Sequence, residues 1–356
     1  MLQPAHRQTT PTGSVAGIPA PPTPPAQGRG STITPALMKR LQELAPNSEF
    51  READLQQCQR NSPAIWRLVE VSLQRASVNF TDQELEGERA RVHQLKDEQI
   101  GVLMRAVARF TVGEKIVEDE LSPLLNFYKK RGQDADCAHA LYITIQQAEE
   151  KIHAEFFKRY SEVVFGASGD SVQDARMQTL CREFLNTDDD YSKPFRKFFT
   201  ESLPSILKKA ETSANSKNST LAEISALACY HGFAEGVIAE TAYFGFQKAL
   251  GARDGTEEIL PTILKGIDMI KDHESTHIAF GILRLREILD RPLISRVALS
   301  GWLAVRGAFH LPAVIGIVRA VHREHPGEFP FPLDKAELAK EGIKQFMSRV
   351  RQIFKR

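Results

Sequence analysis

The sequence lacks several features that would assign it to a common functional class. Its 46 Lys and Arg residues are balanced by 45 Asp and Glu residues, so there is no basic field of the kind that favours nucleic-acid binding. The four cysteines show no Cys-x-x-Cys spacing, and a chain of 356 residues does not need disulfides to hold its core. We therefore predict reduced cysteines, a cytoplasmic location and no nucleic-acid partner.

Long apolar runs are also missing. The most apolar late stretch, residues 293–321, is interrupted by Arg296, Arg306, His310 and Arg319, whereas a membrane-spanning helix needs about 20 predominantly apolar residues. The N-terminal region has neither the basic n-region nor the apolar h-region of a signal peptide. We predict no transmembrane segment.

The composition changes near residue 33. Before it, five prolines between residues 19 and 25 alternate with small residues, and proline blocks helix formation and removes backbone donors. After it, Leu, Ala, Lys, Glu and Gln recur at helical spacing for most of the chain. We predict a disordered Pro-rich arm over residues 1–33 and one all-α domain over residues 34–356.

Two copies of a short pattern indicate the chemistry. They are Glu150-Lys-Ile-His153 and Glu274-Ser-Thr-His277. Positions i and i+3 share one face of a helix, so each copy directs a carboxylate and an imidazole to one point. Each copy is therefore half of a possible metal site.

Each copy also has an acidic residue upstream on another predicted helix. Glu114 precedes Glu150 by 36 residues, and Glu235 precedes Glu274 by 39. This spacing fits a chain that runs along one helix, through a loop and back along the antiparallel neighbouring helix. Two such hairpins would place four carboxylates and two histidines inside a four-helix bundle, which is the ligand set of di-iron and di-manganese carboxylate proteins.

The alternative is a set of acids on solvated helix faces. A single Glu-x-x-His match is weak, and the chain offers Glu118, Glu120 and Glu240 as rivals for the ligand positions. The repeat favours the metal site, because four carboxylates facing one bundle interior would be too costly without cations. Histidine and carboxylate ligands without a matching Cys set favour iron or manganese over a thiolate zinc site.

Capping and turn residues predict the helix boundaries. Thr81 and Glu84 resemble a capping box, and we predict that a long helix starts soon after them and runs through Glu114 to about Leu121. Pro123 need not end it, since bundle helices can be kinked by proline. Further helices are predicted at about 136–164 and 221–250, from Pro261 onward, and over the basic tail at 335–356, which is either solvated or a partner-binding or membrane-surface helix.

Four runs of sequence resemble the ribonucleotide-reductase-small-subunit-like superfamily, and within it the ligand-binding oxidases most closely. The runs begin at Phe110, Glu150, Tyr230 and Glu274, and the resemblance also includes Asp189-Asp-Tyr191 through Pro204 and the tail segment Ile343-Lys-Gln-Phe346. It spans about residue 80 to the C-terminus.

The resemblance implies a ferritin-like four-helix bundle core with additional helices, holding a mixed manganese–iron centre. It further implies dioxygen activation, a long-chain fatty acid or similar apolar ligand beside the metals, and an ether cross-link between a tyrosine and a valine, here Tyr230 and Val117. We expect a two-electron oxidase with an Mn/Fe or Fe/Fe centre, acting as a homodimer. Glu114, Glu150 and His153 would hold one metal, and Glu235, Glu274 and His277 the other, with bridging by carboxylate.

Two features depart from the family. His273 stands where these proteins usually have an aspartate that hydrogen-bonds a metal-binding histidine, which puts the redox behaviour in question. Both ligand spacings are also a few residues longer, and we expect longer loops near Arg131 and at residues 251–255 to absorb the difference.

Two other functions stay open. A true ribonucleotide reductase small subunit is disfavoured by Phe157 at the usual radical-tyrosine position, and more strongly by a C-terminus without the mobile, tyrosine-bearing docking tail. A non-catalytic ferritin-like bundle that stores metal or binds fatty acid is the alternative from another class.

Overall fold

Helices make up the regular structure of the part of the chain that can be described. The computed structural model describes residues 33–46, 50–75, 80–166, 197–253, 256–290 and 327–355, with isolated positions between 297 and 304. The helices are α1 (Pro35–Leu44), α2 (Glu52–Asn61), α3 (Pro63–Gln74), α4 (Asp82–Val92), α5 (Asp97–Lys130), α6 (Gln133–Val164), α7 (a π-helical turn Phe198–Ser202 continued by Leu203–Ser213), α8 (Ser219–Leu227, the π-helical segment Ala228–Ala239, and Glu240–Leu250), α9 (Pro261–Leu289) and α10 (Lys335–Phe354).

The all-α prediction is confirmed, and four of these helices form the bundle that matters for the site. Helix α5 packs along α6, and α9 packs against α6 and the π-helical segment of α8. The other helices cover this core: α2, α3 and α4 lie on α6, α7 lies on α5, and α10 lies on α8 and α9.

The start of the long helix differs from the prediction. The capping box at Thr81 and Glu84 is present, but it begins the short helix α4. Lys96 has an extended backbone, and its N–H donates to the Gln99 side chain, so a second helix starts there. That helix, α5, continues through Pro123 to Lys130, well past the predicted end.

The turn between α5 and α6 is shorter than expected. It consists of Arg131 and Gly132 alone, and Gly132 has a φ of 105°, a left-handed conformation that glycine adopts without steric cost. The expectation of a longer loop here is wrong, because the extra spacing between Glu114 and Glu150 lies within the two helices. Residues 251–260 separate α8 from α9, and a longer loop there than in the resembled family stays a prediction.

The bundle interior has two apolar clusters, one toward each end. On α6, Ile145 belongs to the first cluster and Phe156 to the second. On α9, Ile278 belongs to the first cluster and Ile270 to the second. The predicted metal ligands lie between these positions on both helices. A polar layer therefore crosses the bundle between two apolar cores, each of which stabilises the helices by burying hydrophobic surface.

The cysteine prediction is wrong for one pair. Cys58 of α2 and Cys137 of α6 form a disulfide, with Cα atoms 5.4 Å apart, a separation that a disulfide spans. Their 79-residue sequence separation gave no sign of this, because the packing of α2 on α6 brings the two residues together. Disulfides are rare in reducing compartments, so this bond does not favour the predicted cytoplasmic location. That location stays a prediction.

The C-terminal helix α10 is docked on α8. Its Arg349 is only 4% exposed, and its Nε donates to the carbonyl oxygen of Gly236 in the π-helical segment over 3.1 Å. Gln345 and Gln352 accept hydrogen bonds from the guanidinium of the same arginine. The tail is thus an integral part of the wall that carries Glu235.

Some predictions fall outside the described residues. Residues 1–32 of the predicted arm and the acidic run at 188–190 lie there, as does almost all of the apolar stretch 293–321. Among the helices that are described, none has the length and apolar character to cross a membrane.

Candidate metal centre

The structure brings all six predicted ligands into one buried cluster. Glu114 comes from α5, Glu150 and His153 from α6, Glu235 from the π-helical segment of α8, and Glu274 and His277 from α9. Each of these residues is at most 7% exposed. They form two groups of four whose candidate ligand atoms lie within 4.8 Å of one another.

The first group surrounds His153. Its Nδ1 lies 3.2 Å from Glu150 Oε2, 3.7 Å from Glu274 Oε1 and 3.8 Å from Glu114 Oε2. The pair at i and i+3 on α6 therefore shares a face, as its spacing predicted, and the other two carboxylates arrive from α5 and α9.

The second group surrounds His277 and shares two acids with the first. His277 Nδ1 lies 3.2 Å from Glu150 Oε1, 3.4 Å from Glu274 Oε2 and 3.6 Å from Glu235 Oε1. Glu150 and Glu274 thus present one oxygen to each histidine. In a dinuclear centre, Glu150 and Glu274 would be the shared carboxylates, and Glu114 and Glu235 the terminal ones.

The π-helical winding of α8 places Tyr230 at the site. A π-helix bonds residue i to i+5, so Tyr230 and Glu235 lie nearly one above the other, whereas an α-helix would direct them to different faces. The Tyr230 hydroxyl donates to Glu150 Oε1 over 2.9 Å. The predicted cross-link partner Val117 is buried on α5, three residues after Glu114.

Several candidate ligands have raised pKa values and therefore favour their protonated forms when metal is absent. Burial raises the pKa of Glu114 and of Glu274 to about 8 each, and that of Glu235 to about 7. Burial also opposes charge on His153, but hydrogen bonds to Glu114 and Glu150 outweigh it and raise its pKa to about 10. Large pKa shifts within one buried cluster are characteristic of functional sites.

Two partners of the histidines lie just outside the cluster. His277 Nε2 is 2.8 Å from Glu149 Oε2, and His153 Nε2 is 3.0 Å from His273 Nδ1. Sequence reasoning missed Glu149, although it is buried and directly precedes Glu150. His273 takes the place of the aspartate as a hydrogen-bond partner to a candidate metal-binding histidine.

Two further side chains orient the terminal carboxylates and were also missed. Gln146 Nε2 donates to Glu235 Oε1 over 2.8 Å, and the Tyr243 hydroxyl donates to Glu114 Oε1 over 3.4 Å. Gln146 lies four residues before Glu150, a helical spacing that could have indicated it. Tyr243 carried no comparable signal.

The three rival acids lie outside both groups. Glu118 pairs with Lys115 over 2.9 Å on the outer side of α5, and Glu120 is partly exposed. Glu240 is half-buried in the region of Lys271 and Arg349, and burial raises its pKa. The preference for Glu114 and Glu235 therefore agrees with the geometry.

The donor set fits a pair of divalent cations. Glu235 Oε2, Glu274 Oε2 and His277 Nδ1 are buried without a hydrogen bond to any described residue. Buried polar atoms of this kind are costly unless something binds them. Oxygen and imidazole donors arranged as two groups of four suit iron or manganese.

An apolar cavity of about 260 Å³ opens onto the carboxylates. Glu114, Glu150, Glu235 and Glu274 line its inner end. Nearly all of the remaining wall is apolar and comes from α5, α8, α10 and the segment before α10, with Ala106, Phe110, Ile238, Phe246, Phe331 and Leu338 among the lining residues.

The described helices and their packing give an all-α, ferritin-like fold, which confirms the predicted fold class. No protein-family model matches the chain. Solved structures of R2-like ligand-binding oxidases do share its fold, as the sequence resemblance predicted.

Three of these structures illustrate the likeness. One with an aerobically reconstituted Mn/Fe cofactor has 20% sequence identity and a TM-score of 0.60, and the match covers 92% of this chain and 98% of that chain. One with a metal cofactor after photoconversion has 20% identity, coverage of 92% and 95%, and a TM-score of 0.59. A valine variant with an anaerobically reconstituted Mn/Fe cofactor has 21% identity, coverage of 91% and 94%, and a TM-score of 0.60.

Proposed function

We propose that this protein is a dioxygen-activating oxidase whose buried cluster holds a dinuclear Mn/Fe or Fe/Fe centre. The observation that carries the proposal is the pair of histidines that share Glu150 and Glu274 at the inner end of an apolar cavity. The fold likeness to oxidases that contain Mn/Fe supports the same activity.

The residues have separate tasks in this proposal. Glu114 and His153 would bind one metal, Glu235 and His277 the other, and the two shared carboxylates would bridge them. Bound iron and manganese would supply electrons for the reduction of dioxygen. The protein holds these ligands in a layer that the two apolar clusters shield from water, which strengthens every electrostatic interaction there.

The ligand in this proposal is a long-chain fatty acid or a similar apolar molecule. Its apolar body would occupy the cavity, where burial of hydrophobic surface supplies the binding energy. Its polar end would face the carboxylate layer, where the bound cations would balance the charge of a fatty-acid carboxylate. Arg105 and Arg109 of α5 are the other charged residues of the cavity wall. A two-electron oxidation would then take place at the end of the ligand nearest the metals.

Metal content and dioxygen uptake test the central claim. Glu150→Ala and His277→Ala should each remove stoichiometric metal from one or both positions while the helical fold, measured by circular dichroism, persists. Glu118→Ala changes an acid of α5 outside the cluster and should keep full metal content. Full metal in both ligand variants would refute the site. Stoichiometric metal without dioxygen uptake in the unmodified protein would support a binding bundle.

The cavity can be tested separately with a matched pair of variants. Ala106 lines the cavity, whereas Ala108 on the same helix does not. Ala106→Phe should reduce the amount of fatty acid that co-purifies or is retained after incubation with palmitate, measured by mass spectrometry of extracts. Ala108→Phe should leave it unchanged. Equal retention by both variants would place the ligand elsewhere.

The cross-link between Val117 and Tyr230 is the most specific part of the proposal. A valine C–H bond and the tyrosine O–H bond would break and a C–O bond form, with dioxygen accepting the two electrons and two protons. Aerobic metal loading should give a joined peptide pair two hydrogens lighter than its parts. Fragmentation distinguishes Val117 from its neighbour Ile116. Protein loaded without dioxygen, and Tyr230→Phe, should lack the pair.

Position 157 bears on the reductase alternative. Phe157 is fully buried and has no phenol that could carry a tyrosyl radical, which disfavours a reductase subunit. We propose a homodimer as the working form, and sedimentation equilibrium would test it.

A further inference from the structure

The two histidines of the cluster are held in matching orientations. In each, Nδ1 faces the carboxylates and Nε2 points away from them to a buried partner. A metal on Nδ1 leaves the proton on Nε2, so Nε2–H must donate to that partner. Both partners can accept: Glu149 through a carboxylate oxygen, and His273 through Nδ1.

The acceptors differ in charge, which breaks the symmetry of the site. Glu149 offers His277 an anionic carboxylate at 2.8 Å, whereas His273 offers His153 the lone pair of a neutral imidazole at 3.0 Å. Arg75 adds to the difference, because it donates to the Thr276 hydroxyl, which in turn donates to the carbonyl oxygen of His273, and so brings a cation close to His273.

The inner ligands do not compensate for this difference. Each group has one histidine, one terminal carboxylate and the same two shared carboxylates. The terminal carboxylates each receive a neutral donor, Gln146 for Glu235 and Tyr243 for Glu114. The difference in charge between the two metal positions therefore comes from the partners of the two histidines.

We infer that the two metal positions are unequal, that the position at His277 binds a divalent ion first and more tightly, and that Glu149 and His273 are the positioning residues that set the difference. This inference rests on the proposed dinuclear centre. A carboxylate partner increases the basicity of a metal-binding imidazole, and loss of such a partner typically weakens metal binding about 10- to 100-fold.

Anaerobic titration with Mn²⁺ alone tests the inference, with free Mn²⁺ followed by electron paramagnetic resonance. The unmodified protein should bind in two steps whose dissociation constants differ by about 10-fold or more. Glu149→Gln keeps the shape and an acceptor but removes the charge, and should weaken the tighter step alone. His273→Asp should strengthen the weaker step. Asp272→Asn, an exposed neighbour, should change neither.

The position that fills first is read from a crystal with one equivalent of Mn²⁺ and anomalous scattering at the manganese edge. Occupancy at His277 supports the inference, and this result does not depend on whether any variant folds. Equal occupancy, first occupancy at His153, or equal weakening of both steps in Glu149→Gln would overturn it. Absence of any bound Mn²⁺ would instead refute the dinuclear centre itself.

Discussion

Metal loading should release several protons, because the metal-free cluster stores them. At pH 7 the pKa values of about 8 for Glu114 and Glu274, and about 10 for His153, keep each group mostly protonated. The pKa of His277 is also raised well above its usual value, where contacts with Tyr142 and three carboxylates outweigh burial. A metal ligand must lose its proton.

The expected magnitude follows from these groups. Glu114, Glu274 and His153 alone should release about three protons per protein when both metals bind at pH 7, and the apparent affinity for two metals should rise about 1,000-fold per pH unit between pH 6 and 7. Calorimetric titration with Mn²⁺ in two buffers of different ionisation enthalpy measures the number released. Fewer than one proton, or an affinity independent of pH, would refute the protonated cluster.

The same shifts make the stability of the metal-free protein depend on pH. The carboxyl pKa values of Glu114 and Glu274 are higher in the folded protein than in the unfolded chain, so their contribution to stability is fully present below about pH 4.5 and is lost as the pH rises through about 8. His153 acts in the same direction between about pH 6.5 and 10. The melting temperature of metal-free protein should therefore fall between pH 5.5 and 9, and a rise would contradict the assignment.

Three substitutions test the packing around the site. Arg349→Gln should lower the free energy of unfolding by about 2 kcal/mol, since a buried charged hydrogen bond to Gly236 is lost, whereas exposed Arg351→Gln should change it by less than about 0.5 kcal/mol. Gly281→Ala should destabilise the fold by about 1–2 kcal/mol, because the new Cβ would lie 2.3 Å from His231 Cβ and only about 1 kcal/mol of helix propensity is gained. Cys58→Ser should cost up to about 4.5 kcal/mol, the chain-entropy value for a 79-residue separation. Urea titrations measure all three, and equal effects of the two arginine changes would contradict the role of Arg349.

The amino-acid sequence by itself determined the helical fold class and the six candidate ligands. Both follow from local periodicity: apolar spacing indicates helices, and Glu and His at i and i+3 share a face whatever surrounds them. The matched upstream positions of Glu114 and Glu235 then indicated antiparallel hairpins. Such patterns can be recognised in the sequence because they depend on helix geometry alone.

The tertiary structure decided what helix geometry leaves open. The π-helical winding that turns Tyr230 toward Glu150 is supported by packing, including the contact of Arg349 with Gly236. The choice of Glu149 as the partner of His277, and the pairing of Cys58 with a residue 79 positions away, are contacts between different helices. Their partners are far apart in sequence, so only the packing of whole helices, driven by burial of their apolar faces, fixes which side chains meet.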